Sequence, residues 1–236
     1  MSDVKYIIFD IDDTLLSFAD AFTYAQKSMA DVLGIEYSDE YKALDEKNGW
    51  RGWKEMRLDD TDDPDIRKNY HEYYYEYVRR HYKYLLEDLK IDMEVEELVN
   101  RYLDLVTSSS VLMEECTLEV IQKLSEKYEI ILASNGTVDM QTKRAEVFKT
   151  YVSRIYISEA MGVIKPMAEF FDYILDDLKC DAGSCLMVGD SIANDIIGAK
   201  KAGMKVCYYN PRGKEIDKDI ECDHVISSIS ELNMFL

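Results

Sequence analysis

YIIFDIDDTLL (residues 6–16) opens with an apolar run, Tyr6, Ile7, Ile8 and Phe9, that reads as a buried strand. The run breaks off into Asp10, Asp12 and Asp13, followed at once by Thr14 and two leucines. A buried strand that delivers carboxylates at its C-terminal end sets them at the edge of the sheet, where open α/β folds bind ligands. Like charges this close repel one another, and a bound cation or a shared proton is the usual relief. The plain alternative is an acidic turn after a strand, which composition alone makes common in so acidic a chain.

The 236 residues include 28 basic and 47 acidic side chains, for a net charge of −19. That balance argues against a nucleic acid polymer as partner. It leaves room for a small phosphorylated metabolite, because a divalent ion reverses the local sign. Five cysteines, Cys116, Cys180, Cys185, Cys207 and Cys222, are scattered without a CxxC pair. Such usage predicts reduced thiols, no zinc site and a cytoplasmic protein. The first apolar stretch is short and ends in acids, and no stretch reaches membrane-spanning length, so neither a signal peptide nor a membrane partner is expected. The oligomeric state is not encoded in any pattern, and a monomer is the default.

Beyond Leu16, Phe18, Phe22, Ala25, Met29 and Val32 recur at helical spacing up to a stop at Gly34. From there to about Ser108 no convincing strand occurs, and amphipathic stretches such as HEYYYEYVRRHYKYLLEDL and VEELVNRYLDLV predict an inserted helical bundle. DDTDDPD around Pro64 reads as a loop leading into a helix. Trp50, Trp53 and the many tyrosines of this segment are expected in the bundle core, with Arg51, Arg57, Arg79 and Arg80 on solvated faces. His71, His81 and His224 have no ligand spacing.

From Thr117 onward helices and strands alternate: LEVIQKLSEKY, EIILA, a helix from about Val138 to Thr150, RIYIS, MAEFFDYILDDL, SCLMVGD, ANDIIGAKKAG, KVCYY and HVI. This alternation predicts an α/β fold, a Rossmann-like parallel sheet flanked by helices, with the all-helical segment inserted into it. The expected division is a core of residues 1–16 and 109–236 and a helical cap of residues 17–108.

Three further strand ends bear polar groups. Ser134, Asn135 and Gly136 follow one strand and precede a helix, a position that offers a hydroxyl, an amide and backbone N–H groups to an anion. Lys165 lies in GVIKP, where Pro166 fixes the loop, and Asp190 and Asp195 lie in GDSIANDI after another strand. Singly, each is an ordinary cap, surface lysine or turn. Together, at one edge of a parallel sheet, they supply the carboxylates, ammonium and anion-binding turn that phosphoryl transfer requires.

The order FDIDDTLL, SNG, KP, GDSxxND resembles the four motifs of the haloacid dehalogenase superfamily of phosphohydrolases, over about residues 5–16 and 114–211. The resemblance implies a Rossmann-like core with a helical cap inserted after the first motif. It implies that Asp10 is the nucleophile that forms an aspartyl-phosphate and that Asp12 protonates the leaving oxygen and then deprotonates water. Thr14 would orient that acid. Ser134, with Asn135 and Gly136, and Lys165 would hold the phosphoryl group. Magnesium would be held by Asp10, Asp190 and the Asp12 carbonyl, with Asp195 supporting it through water or Lys165. Dehalogenases of the superfamily lack the acid at Asp12, so its presence favours phosphate esters. The mutase branch usually has glycine where this chain has Asp13.

A narrower resemblance, carried by SNGTVDMQTKR, SEAMGVIKP and CYYNP, points to the bacterial pyrimidine 5′-nucleotidase branch, although Tyr208 replaces that branch's tryptophan and the cap matches poorly. The implied activity is a magnesium-dependent nucleoside 5′-monophosphatase, with Phe18 as a candidate substrate contact. The alternatives are a sugar-phosphate phosphatase or mutase of the same superfamily, or a non-catalytic phospho-ligand-binding protein.

Overall fold

In the computed structural model the described residues are 3–60, 63–217 and 219–236, so Thr61 and Asp62 of the acidic loop before Pro64 lie outside them. The chain divides into two compact units, Met1–Phe18 with Ser110–Leu236, and Ala19–Ser109.

In chain order the elements are β1 (Tyr6–Phe9), α1 (Phe18–Leu33), α2 (Asp39–Glu55), α3 (Pro64–Leu89), α4 (Val95–Ser108), α5 (Thr117–Ser125) and β2 (Glu129–Ser134). There follow α6 (Val138–Arg144), β3 (Val152–Ile157), α7 (Ser158–Met161), α8 (Ala168–Leu178), β4 (Cys185–Gly189), α9 (Gly198–Lys201), β5 (Lys205–Tyr209) and β6 (His224–Ile226).

All strand pairs are parallel, in the order β3-β2-β1-β4-β5-β6. Alternation along each strand sorts its side chains onto two faces. Ile7, Phe9, Ile130, Leu132, Leu186 and Val188 pack with Val120, Ile121 and Leu124 of α5. Ile8, Ile131, Ala133, Cys185 and Met187 pack with Phe170, Phe171 and Ile174 of α8. A sheet covered on both faces explains why its strands are nearly continuous apolar runs. The expected α/β class is what the backbone shows.

Two predicted helices take other forms. The segment expected as a helix from Val138 to Thr150 is α6 followed by a 3₁₀ turn over Ala145–Phe148. The first part of ANDIIGAKKAG is a π-helix, Ile192–Ile197, that passes into α9. A π-turn carries an extra residue and re-aims side chains, a device common at functional sites. Here it carries Asp195.

The second unit is built from α1 to α4. On α2, Gly49 and Gly52 face α3; a methyl group on Gly52 would come within 3.3 Å of the Tyr77 carbonyl oxygen. Tyr41, Tyr82 and Tyr102 are buried as expected, but Trp50 is 63% exposed and takes no part in the core. Its position among Asn48, Gly49 and Arg51 puts it one step off the face that α2 buries. His81 is buried and 2.8 Å from Asp45, which also accepts from Gln26 at 2.9 Å, so three helices share one internal polar network. Arg57 pairs with Asp60 and Asp63, Arg79 with Glu76 and Glu96, and Arg80 with Glu55 and Glu76, all at least partly exposed. Among the described residues no helix is long and apolar enough to cross a membrane.

Candidate active site

β1 and β4 are hydrogen-bonded neighbours, with Phe9 opposite Val188. Adjacent strands lie about 4.8 Å apart, so the first groups past each strand end are neighbours by construction. Those groups are Asp10 and, two residues after Val188, Asp190; the Asp10 amide donates to the Val188 carbonyl at 2.9 Å. β2 flanks β1 on the other side and ends in Ser134.

Lys165 enters from the loop between α7 and α8, through a cis peptide bond to Pro166. Its side chain is 2% exposed, and its Nζ donates to Asp10 Oδ1 at 2.6 Å, Asp195 Oδ1 at 2.7 Å and the Ala133 carbonyl at 2.9 Å. Every proton of the ammonium is thereby used. Burial works to lower the Lys165 pKa, but the Asp10 and Asp195 carboxylates outweigh it and hold the group protonated. Asp195 is fixed in turn, its Oδ2 accepting from the Ser191 amide at 3.0 Å. Gly189 makes room for it: a methyl group there would stand 2.3 Å from Asp195 Oδ2.

Carboxylate oxygens of Asp10, Asp190 and Asp195 lie within 4.8 Å of one another. Three carboxylates against the one ammonium of Lys165 leave an excess of negative charge, and all the donors are hard oxygens. Burial, together with Asp195 and Asp13, pushes the Asp190 carboxyl up to about 6. A divalent cation of the magnesium or calcium type fits this set on charge and donor chemistry. The Asp12 side chain is held on other partners, so the part expected of Asp12 at the cation would fall to its main-chain carbonyl.

Asp12 is held by α6. Gln141 Nε2 donates to Asp12 Oδ2 at 2.6 Å and to Ser134 Oγ at 2.9 Å, and Arg144 Nη2 lies 2.7 Å from Asp12 Oδ1. Burial raises the Asp12 pKa, against the pull of Arg144 and Gln141, which favour the ionised form. Thr14, expected to orient Asp12, is instead spent on the second strand end: its Oγ1 accepts from the Asp190 amide at 3.1 Å.

Two members of the expected phosphate turn are also used structurally. Asn135 Oδ1 accepts from the Lys165 amide at 2.8 Å while its Nδ2 donates to the Lys165 carbonyl at 2.9 Å. This reciprocal clamp fixes the lysine's backbone and occupies the Asn135 amide group. The Gly136 N–H donates to Ser158 Oγ at 3.0 Å and is not free for an anion. Gly136 is required for another reason, since a methyl group there would be 2.7 Å from Gln141 Nε2. Ser134 and Lys165 remain beside Asp10 and Asp12. Asp13 sits at φ +58°, and its Oδ1 accepts from the Phe18 amide at 3.0 Å, so it caps α1. Phe18 is half-buried with the Arg144 guanidinium 5.4 Å from its ring centre, so one ring face is already covered.

Gln141 and Arg144 were not singled out as site residues from the sequence. Their signal was present in the QTKR segment, where the two positions fall three apart on one helical face directly after SNG.

The sequence matches the haloacid dehalogenase-like hydrolases over residues 4–203. The chain belongs to this family and is a hydrolase. Among individual relatives, it is 26% identical to YfnB, a HAD-hydrolase of Bacillus subtilis, over 98% of this chain and 95% of that one. The crystal structure of YfnB in an orthorhombic form bound to magnesium superposes with a TM-score of 0.81 at 24% identity, covering 99% of this chain and 98% of that one. The pyrimidine 5′-nucleotidase YjjG of Escherichia coli is 34% identical over 46% of this chain and 49% of its own length. The pyrimidine 5′-nucleotidase PynA of Streptococcus pneumoniae is 24% identical over 97% and 93%.

Proposed function

We propose that this hydrolase is a magnesium-dependent phosphatase of small phosphomonoesters, acting on nucleoside 5′-monophosphates, with residues 17–108 as the substrate-selecting cap. The observation that carries the reading is the buried contact of Lys165 with both Asp10 and Asp195 beside a second carboxylate, Asp12, held on a separate set of partners. One carboxylate is thus placed among cation-binding groups and the other among groups that orient it, which suits two different roles.

In this mechanism Asp10 attacks phosphorus and the P–O bond to the leaving group breaks, giving an aspartyl-phosphate. Asp12 delivers its proton to the departing oxygen; a carboxyl group whose pKa burial has raised is suited to this. The Ser134 hydroxyl and the charge of Lys165, whose protons are held by Asp10, Asp195 and the Ala133 carbonyl, bear on the phosphoryl oxygens. Asp12, now ionised, takes a proton from water, which attacks phosphorus and frees Asp10. Asp10, Asp190 and the Asp12 carbonyl would hold magnesium, with Asp195 behind them, and the ion would offset the phosphate charge.

The nucleotide preference is supported by the two pyrimidine 5′-nucleotidases among the relatives. Phe18, half-buried beside Arg144, is the candidate contact for the base. Phosphate release from a panel of nucleoside monophosphates and sugar phosphates tests it. Preference for pyrimidine monophosphates supports the reading, preference for sugar phosphates retires the nucleotidase part, and an isomerised product means a mutase. Tight binding of phosphoesters without any turnover would mean a phospho-ligand-binding protein.

A further inference from the structure

Arg144 is the largest fully buried side chain among the described residues, with no exposed surface. Its Nη2 reaches within 2.7 Å of Asp12 Oδ1, yet the contact is out of line for a hydrogen bond, and Nε, Nη1 and Nη2 all lack an acceptor. Buried donors are nearly always paired, so an exception needs a reason. Burying an unsatisfied guanidinium opposes folding, and simple helix packing could be served by an apolar residue of the same size. What Arg144 supplies at this place is a fixed positive charge behind one oxygen of Asp12.

The other oxygen is held differently. Gln141 donates from a single nitrogen to Asp12 Oδ2 and to Ser134 Oγ, tying the carboxyl group to the end of β2. Asp12 Oδ1 is buried while the side chain as a whole is 24% exposed. Each oxygen therefore has its own anchor on α6, one turn apart, and the carboxyl plane is determined by the two together.

We infer that Gln141 and Arg144 are positioning residues that set the aim of the Asp12 carboxyl group and thereby govern proton delivery to the leaving oxygen. The inference rests on the proposed phosphatase reading and adds to it the residues that make Asp12 competent. Neither side chain touches the substrate in this account; Arg144 acts through Asp12, and Gln141 through Asp12 and, by its bond to Ser134 Oγ, through Ser134 as well. Proton delivery matters where the leaving oxygen is strongly basic and matters little where it is not. The consequence is selective in the first step: forming the aspartyl-phosphate from esters of alcohols depends on the anchors and forming it from activated aryl esters does not, whereas its hydrolysis, which also uses Asp12, is common to both.

The test compares an alkyl ester, a nucleoside 5′-monophosphate, with p-nitrophenyl phosphate in the wild type, Gln141→Leu, Arg144→Met and Arg144→Lys, with magnesium present. Removal of either anchor is expected to lower kcat/KM, which reports the steps through departure of the leaving group, about 10²-fold more on the alkyl ester than on the aryl ester, while the shared hydrolysis step affects kcat on both. Arg144→Lys, which keeps the charge, should recover part of the alkyl activity. Gln141→Leu leaves no unpaired charge behind and keeps the test open if Arg144→Met fails to fold, as judged by circular dichroism. Equal losses of kcat/KM on both esters in a folded variant, or an unchanged kcat/KM on the alkyl ester, would overturn the inference while the phosphatase reading stood. Absence of phosphate release from either ester by the wild type would instead remove that reading and the inference with it.

Discussion

Lys165 Nζ and Asp10 Oδ1 stand 2.6 Å apart across 155 residues of sequence, in a pocket that leaves the lysine 2% exposed. A charged pair buried this deeply is stable only because each remaining donor is satisfied, here by Asp195 and the Ala133 carbonyl. Replacing the lysine therefore has two consequences. Lys165→Met should lower kcat by about 10²-fold or more through loss of the charge facing the phosphoryl group. It should also destabilise the metal-free protein by about 3–5 kcal/mol, because two buried carboxylates lose their countercharge. Phosphate release and denaturant unfolding, run on the same variant, check both.

Gly189 is the point at which the site leaves no space. With a methyl group 2.3 Å from Asp195 Oδ2, Gly189→Ala must push the Asp195 carboxylate or the π-turn away. The expected cost is about 1–3 kcal/mol of stability, with magnesium affinity reduced as well. Calorimetry of unfolding and of magnesium binding would show the two effects together; a variant indistinguishable from wild type in both would contradict the packing argument.

Asn135→Ala should lower turnover without removing any group that meets the substrate, because its side chain holds both backbone polar groups of Lys165. Displacing a reacting or clamping group by about 1 Å costs about 10²-fold, and that is the expected loss in kcat. A variant with wild-type kcat and a raised KM would instead mean that Asn135 contacts the phosphate itself.

The Asp190 carboxyl, raised from 3.8 to about 6, gives the metal site a pH dependence of known sign. A folded-state pKa above the unfolded one means that the folded protein binds more protons between the two values. In the metal-free protein the penalty for ionising Asp190 is absent below the unfolded value, grows as pH rises between the two, and is complete above the folded one. Magnesium relieves that penalty, so the rise in Tm on adding it should be small near about pH 5 and full above about pH 7. Thermal melts with and without the ion measure this; a gain that shrinks as pH rises would contradict it.

Much of this architecture was legible in the chain. Ile7–Phe9, Ile130–Leu132 and Leu186–Val188 are short apolar runs ended by polar groups, and a sheet buried on both faces needs runs of that kind. The groups just past those ends, Asp10, Ser134 and Asp190, were legible for the same reason. Gln141 and Arg144 were not, because polar residues three apart on a short helix look the same whether they face water or a carboxylate. The bonds of Asn135, Gly136 and Thr14 to Lys165, Ser158 and Asp190 were hidden too, since each partner comes from a distant segment. The π-turn left no periodic trace in IANDII, and it carries Asp195 close against Gly189. Trp50 misled because an aromatic residue in an amphipathic segment usually belongs to the core, and only the register of α2 decides otherwise.

The most direct test of the central claim is phosphate release by wild type and Asp10→Asn in the presence of magnesium, on the best substrate of the nucleoside and sugar phosphate panel. The account predicts a folded variant with kcat reduced at least about 10³-fold, because the attacking carboxylate is gone while Lys165, Asp190 and Asp195 remain. A folded variant that keeps a substantial part of wild-type turnover would contradict Asp10 as the nucleophile.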